Sequence, residues 1–137
     1  MTAQSRYEAM FSGVIGQEYH TLSLICPLAA QMSRLVGQAV ADYSRTHSDI
    51  LNILELGGGT GITTAAILAA GENLTVTSVD NEPTMQSQAK HILQQWHEQG
   101  QLKFSGHDAL AALQELPDNS VDIVASAYTL HNFLDSY

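Results

Sequence analysis

Apolar and polar positions change rhythm along this chain. From Pro27 onward, Leu28, Met32, Leu35, Val36, Ala39, Val40 and Tyr43 recur at spacings of three and four. Gln31, Arg34, Gln38 and Asp42 take the opposite face, so the spacing predicts an amphipathic helix. Pro27 suits a first helical turn, where its missing N–H would have had no partner. Residues 1 to 19 are mixed and predict a short helix or a loosely held arm. After Ser48 the texture alternates. ILNILEL (50–56) is short and almost wholly apolar, as a strand buried on both faces requires. ITTAAILAA (62–70) predicts a helix stopped near Gly71, and LTVTSVD (74–80) a second strand. EPTMQSQAKHILQQWHEQ (82–99) predicts one helix, with Asn81 as N-cap, Gly100 as stop, and Leu93 and Trp96 as packing residues. LKFSG (102–106), ALAALQEL (109–116) and VDIVASA (121–127) predict a strand, a helix and a fourth strand, with PDNS as a turn. Three strand–helix units followed by a strand predict an α/β fold: a parallel sheet with helices on both faces.

Bulk properties narrow the chemistry. The 137 residues suffice for one domain with a real core. Five Lys and Arg stand against 14 Asp and Glu, a net charge of −9 that repels phosphate backbones. No nucleic acid partner is therefore expected. No apolar run approaches the roughly 20 residues that span a bilayer, so no membrane partner is expected either. The first residues, MTAQSRYEAMFSG, lack a secretory signal's basic start and apolar run. Cys26 is the single cysteine and cannot form an internal disulfide; a cytoplasmic location and a buried, inert thiol are the expectations. His91, His97 and His107 have neither i, i+4 pairing nor cysteine company, so no metal is expected.

The segment ILELGGGTG (53–61) carries the chemistry. Four glycines in five positions follow a buried strand. Such a unit brings a ligand against bare backbone at a helix N-terminus. The dinucleotide fingerprint G-x-G-x-x-G needs a glycine where Ile62 stands, and no lysine follows for a P-loop. Glu55 interrupts the apolar strand at its C-terminal end. A carboxylate buried there needs a cation or donors, repels pyrophosphate and attracts ammonium. Asp80 closes the second strand, where an acid commonly accepts from a ribose diol. The pocket thus calls for an ammonium near the first strand and a ribose near the second, with no phosphate between.

At these residues the chain resembles the S-adenosylmethionine-dependent methyltransferases of the Rossmann-like class. The resemblance covers residues 50 to 134. LELGGGTG resembles the family's E/D-x-G-x-G-x-G loop, VDNEPTM (79–85) its second motif, GHDALAAL (106–113) its third, and DIVASAYTLHNF (122–133) its fourth strand and loop. It implies a three-layer α/β/α sandwich with strand order 3-2-1-4. Residues 49–137 would form the core and 1–48 a helical segment on or over the cofactor site.

The resemblance also implies roles. Gly57, Gly58, Gly59 and Gly61 would pass the methionine part of S-adenosyl-L-methionine, and Glu55 would hold its ammonium directly or through water. Asp80 would bind the ribose, and Asn81 and Met85 would line the adenine pocket. Asp108 and the Ala109 N–H would meet the adenine, and Ser126 would sit beside the methionine. Asp80 and Asp108 also read as helix-capping acids, and Ser126 as small-residue packing. Tyr19 and Tyr128 are candidate rings near the sulfonium. A tyrosine in the place of Tyr19 is more often a core aromatic than a ring over a cofactor. His131 is a candidate base, or a packed histidine. The fourth-strand loop has neither the Asn/Asp-Pro-Pro-aromatic sequence of adenine or glutamine methylation nor the Pro-Cys pair of cytosine chemistry.

A small-molecule acceptor is therefore implied, with S-adenosyl-L-homocysteine as product. The family sheet continues beyond the fourth strand. The expectation is either a piece of a longer enzyme or a homodimer through the exposed fourth-strand edge. The acceptor half of the site usually lies in the N-terminal helices and the later strands, which leaves turnover by these residues alone open. Two other readings stand beside methyl transfer. One is a non-catalytic module that binds the same nucleoside; the other, a nicotinamide-dependent oxidoreductase, is disfavoured by Ile62 and Glu55.

Overall fold

The computed structural model describes residues 21, 22, 24–127 and 129. Helix α1 (Pro27–Ser44) is followed by β1 (Leu51–Leu56), α2 (Ile62–Leu68), β2 (Leu74–Val79), α3 (Pro83–Ile92), α4 (Gln94–Glu98), β3 (Leu102–Ser105), α5 (Ala109–Gln114) and β4 (Ile123–Ser126). The four strands form one sheet in the expected order, β3-β2-β1-β4. All three pairings are parallel. Leu56 lies opposite both Val79 and Ser126, and Val79 lies opposite Ser105, so the C-terminal ends of the strands are level.

Alternation of side chains along the strands divides the core. On one face Ile53, Val76 and Leu102 pack with Val40 and Ala41 of α1, Ala65, Ile67 and Leu68 of α2, and Leu93. On the other, Leu54, Leu56 and Val79 pack with Ala112 of α5. At about 25 cal/mol per Å² of apolar surface removed from water, these two clusters are the main favourable contribution to folding.

Helix α1 starts with Pro27 in its first turn, as its sequence predicts, but it does not bury its larger apolar face. Its buried residues are Ala30, Ser33, Gly37, Val40, Ala41 and Ser44. Leu28 (72%) and Leu35 (54%) are largely exposed, as are Met32 and Tyr43. The reason is close approach to α2. A Cβ at Gly37 would stand 2.5 Å from the carbonyl oxygen of Ala66, so only the small-residue face fits there. Ser33 and Thr63 seal the contact with a hydroxyl–hydroxyl bond of 2.8 Å.

Two further expectations need correction. The helix over 82–99 is broken at Leu93, whose backbone (φ −105, ψ 21) separates α3 from α4. The bend seats Leu93 in the core with no exposure. It also lets Trp96 pack against the same cluster, while His97 Nδ1 donates to the Leu102 carbonyl at 2.9 Å. Cys26 is exposed rather than buried. It precedes α1, and it joins the fold through its main chain: its N–H donates to Leu22 O and its carbonyl accepts from Ala29 and Ala30.

No helix among the described residues is long and apolar enough to cross a membrane. Strand β4 pairs with β1 on one side, and Val124 on it is 56% exposed. A groove of about 330 Å³ runs between α1 and β4, lined by Val36, Tyr43, Ile123 and Val124 among others.

Candidate functional site

The loop 57–61, residues 80–85, Asp108 and Ser126 all leave from the C-terminal end of the sheet. Strand order turns back between β1 and β4, and open α/β sheets bind ligands at such a crevice.

Glu55 lies one residue before the end of β1 and is 1% exposed. Its side chain has the same parity as Ile53 and points toward α2. Oε1 accepts from Thr64 Oγ1 at 2.5 Å and from Ser78 Oγ at 2.9 Å. Oε2 is buried and has no hydrogen-bond partner among the described residues. Burial pushes the Glu55 carboxyl above the usual carboxylate range. The hydroxyls of Thr64 and Ser78 pull it back, and Asp80 adds to the upward push.

The loop lies directly over this acid. The N–H groups of Gly57 and Gly58 both donate to Val79 O, at 2.7 and 3.2 Å. Gly57, Gly59 and Gly61 have positive φ, the region that favours glycine. At Gly58 the constraint is space: a Cβ would stand 1.9 Å from Ser78 Oγ and 2.9 Å from Glu55 Oε1. The glycine-rich spacing therefore reflects both backbone turn and close approach.

Asp80 ties β2 to the same loop. Its Oδ2 accepts from Gly59 N–H at 2.8 Å, and its Oδ1 from Glu82 N–H at 2.8 Å. Two carboxylates thus converge on the main chain of residues 58 and 59. Met85 is exposed, and its Cε would contact a Cβ at Gly59 at 3.5 Å. Asn81 is exposed and does not cap α3. The cap is Glu82, whose carboxylate accepts from Thr84 N–H (3.3 Å) and Met85 N–H (2.7 Å). Pro83 at the first helical position fixes Glu82 as the preceding extended residue.

Asp108 N-caps α5, with Oδ1 accepting from Ala111 N–H at 2.7 Å, and Ala109 is the first residue of that helix. Ser126 Oγ donates to Leu56 O at 3.2 Å. The structure therefore brings Glu55, Asp80, Met85 and the glycines together around one loop. Ser126 joins them through Leu56, and Asp108 and Ala109 stand at the neighbouring strand end. Tyr19, Tyr128 and His131 lie outside the described residues.

Sequence reasoning missed three residues here. Ser78 and Thr64 are the donors to Glu55; a buried acid demands them, and Ser78 is the residue opposite Glu55 in the parallel register. Thr129 is the third: its hydroxyl donates to Gly57 O at 3.2 Å and to Ala127 O at 3.0 Å.

A parallel sheet in this order, with helices on its faces and a glycine loop over a buried acid, defines a Rossmann-like α/β fold. Comparison with known families takes this further. Residues 53–136 match the methyltransferase domain family, and the chain belongs to it. No curated protein matches the chain. Solved structures share the fold. A proposed caffeoyl-CoA O-methyltransferase from Staphylococcus aureus aligns with a TM-score of 0.58 at 20% identity, covering 77% of this chain and 51% of that one. Cofactor-bound Rv0187 from MTB aligns with a TM-score of 0.57 at 20% identity, covering 71% and 43%. A precorrin-6Y C5,15-methyltransferase from Geobacter metallireducens aligns with a TM-score of 0.52 at 17% identity, covering 68% and 45%. The chain spans about half the length of these structures or less.

Proposed function

We propose that this chain binds S-adenosyl-L-methionine and forms the cofactor half of a methyltransferase for a small-molecule acceptor, leaving S-adenosyl-L-homocysteine. One observation carries the reading. Glu55 is sealed beneath Gly58 with one carboxylate oxygen lacking a partner, and Asp80 grips the adjacent Gly59. Two acids and bare main chain fit an ammonium joined to a ribose, and the charge of Asp80 repels a pyrophosphate.

The cofactor, when bound, supplies a methyl group on a sulfonium that is already a good leaving group. The residues of this chain then bind and orient. The loop 57–61 offers close approach to main chain. Glu55 supplies counter-charge to the ammonium, directly or through a water. Each Asp80 oxygen accepts one backbone N–H and keeps a second lone pair for a ribose hydroxyl. Asn81 and Met85 would line the adenine side, with Asp108 and the Ala109 N–H toward its edge, and Ser126 would hold the methionine part. The net charge of −9 favours a small acceptor over a nucleic acid.

Calorimetric titration with S-adenosyl-L-homocysteine and, separately, NAD tests the reading. Binding of the first alone is expected, weakened in Glu55→Ala with the fold retained. Binding of NAD alone overturns it. A second reading is a non-catalytic module that only holds the nucleoside. It predicts the same binding with no methyl group consumed.

A further inference from the structure

We propose that Glu55 is a positioning residue that exchanges a proton for a cation: its carboxyl is neutral while the glycine loop carries no ammonium, and ionises when the amino group of a ligand's amino acid tail settles above Gly58. This rests on the cofactor reading above and adds to it a coupling between ligand and proton.

The surroundings of Glu55 carry the inference. Among the described residues, Oε1 has two hydroxyl donors and Oε2 has none. No residue of α2, β2, β4 or the loop 57–61 has an ionisable side chain. On α3, Lys90 Nζ sits 5.6 Å from the centre of the Phe104 ring and His91 is exposed. Among the described residues, the charge that acts on Glu55 is Asp80, of the same sign. An ionised Glu55 would thus be a buried anion with an unmatched oxygen beside a second anion. The neutral acid is the cheaper state, in keeping with the upward push that burial gives this carboxyl.

An arriving ammonium reverses each condition. It brings the opposite charge, donates toward Oε2 directly or through a water, and offsets Asp80. The acid's O–H bond then breaks, the electron pair stays on the carboxylate, and the proton passes to the buffer. The ligand's own ammonium keeps its protons. The amino acid tail, not the nucleoside, is therefore the part of the ligand that drives ionisation.

The test is calorimetry of the whole chain in two buffers of equal pH and different ionisation heats, repeated between about pH 6 and pH 8. S-adenosyl-L-homocysteine is the probe with an amino acid tail. 5′-Methylthioadenosine, which shares its adenosine and thioether, is the probe without one. The expected result is release of about one more proton with the first probe than with the second. Its affinity should also rise with pH by up to about tenfold per unit until the ligand-free acid is fully ionised. In Glu55→Gln the difference between probes should vanish. Equal proton counts for the two probes in the native chain overturn the proposal while leaving the cofactor reading standing. No binding of either probe overturns both. Should Glu55→Gln fail to fold, the comparison of probes on the native chain decides alone.

Discussion

Replacing Gly58 by alanine tests the packing of the loop on the buried acid. The new methyl group would fall 1.9 Å from Ser78 Oγ and 2.9 Å from Glu55 Oε1. The serine hydroxyl must leave, and its 2.9 Å bond to Glu55 goes with it. Losing a buried hydrogen bond to a carboxyl costs about 1.5–2 kcal/mol. Crowding against Glu55, which remains, adds about 1 kcal/mol. Gly58→Ala should therefore destabilise the ligand-free protein by about 3 kcal/mol, a fall in Tm of about 10 °C for a chain of this size. Ser78→Ala alone removes only the bond and should cost about 1.5–2 kcal/mol. In the double variant the methyl replaces a hydroxyl already gone, so the cost should be about 2.5–3 kcal/mol, short of the sum by about 2 kcal/mol. Urea denaturation of the four proteins completes the cycle. Costs that add to within about 0.5 kcal/mol would refute the claim that Gly58 is glycine to make room for Ser78.

Other outcomes follow from the same geometry. Because burial raises Glu55 above its ordinary value of 4.5, the stability tied to its neutral form is complete below that value. It is lost as pH rises through the folded value. Glu55→Gln cannot ionise, so its urea midpoint relative to the native chain should climb as pH rises above 4.5; a gap that stays level with pH would count against a strained acid. Leu93→Ala, at a position with no exposure, should cost about 2–5 kcal/mol in thermal or urea unfolding; a cost under about 1 kcal/mol would mean the bend between α3 and α4 is not held by the core. On α1, Leu28→Gln should change stability by less than about 0.5 kcal/mol. Ala41→Leu, on the small-residue face, should cost about 1–3 kcal/mol; the reverse ranking would show that the helix docks by its larger apolar face.

Strand positions and the parallel sheet were legible because a short apolar run between turn residues has few other solutions, and strand–helix units in series favour parallel pairing; the sheet order came from the family resemblance of the glycine loop and the motifs after it. Glu55 and Asp80 were legible as candidates because an acid at the end of a buried strand is costly without a partner. What escaped was set by tertiary contact. The face that α1 buries was decided by how near α2 stands to Gly37, whereas periodicity marks where apolar residues recur and not which partner they meet. Leu93 carries good helical propensity, yet core packing overrode it and bent the chain. Glu82 displaced Asn81 as cap because Pro83 sets where the helix begins. The hydroxyls of Thr64 and Ser78 look like ordinary polar residues in the sequence; only the fold places both on one carboxylate oxygen.

Two consecutive threonines on α2 face separate partners. Thr63 meets Ser33 on the outer helix, and Thr64 meets Glu55 at the heart of the sheet. A helix held by adjacent hydroxyls on two faces about 100° apart cannot rotate or slip by a single residue without breaking both grips. The seven residues of α2 are thereby keyed in place like a pinned axle, and the glycine turn that feeds into them inherits that fixed alignment.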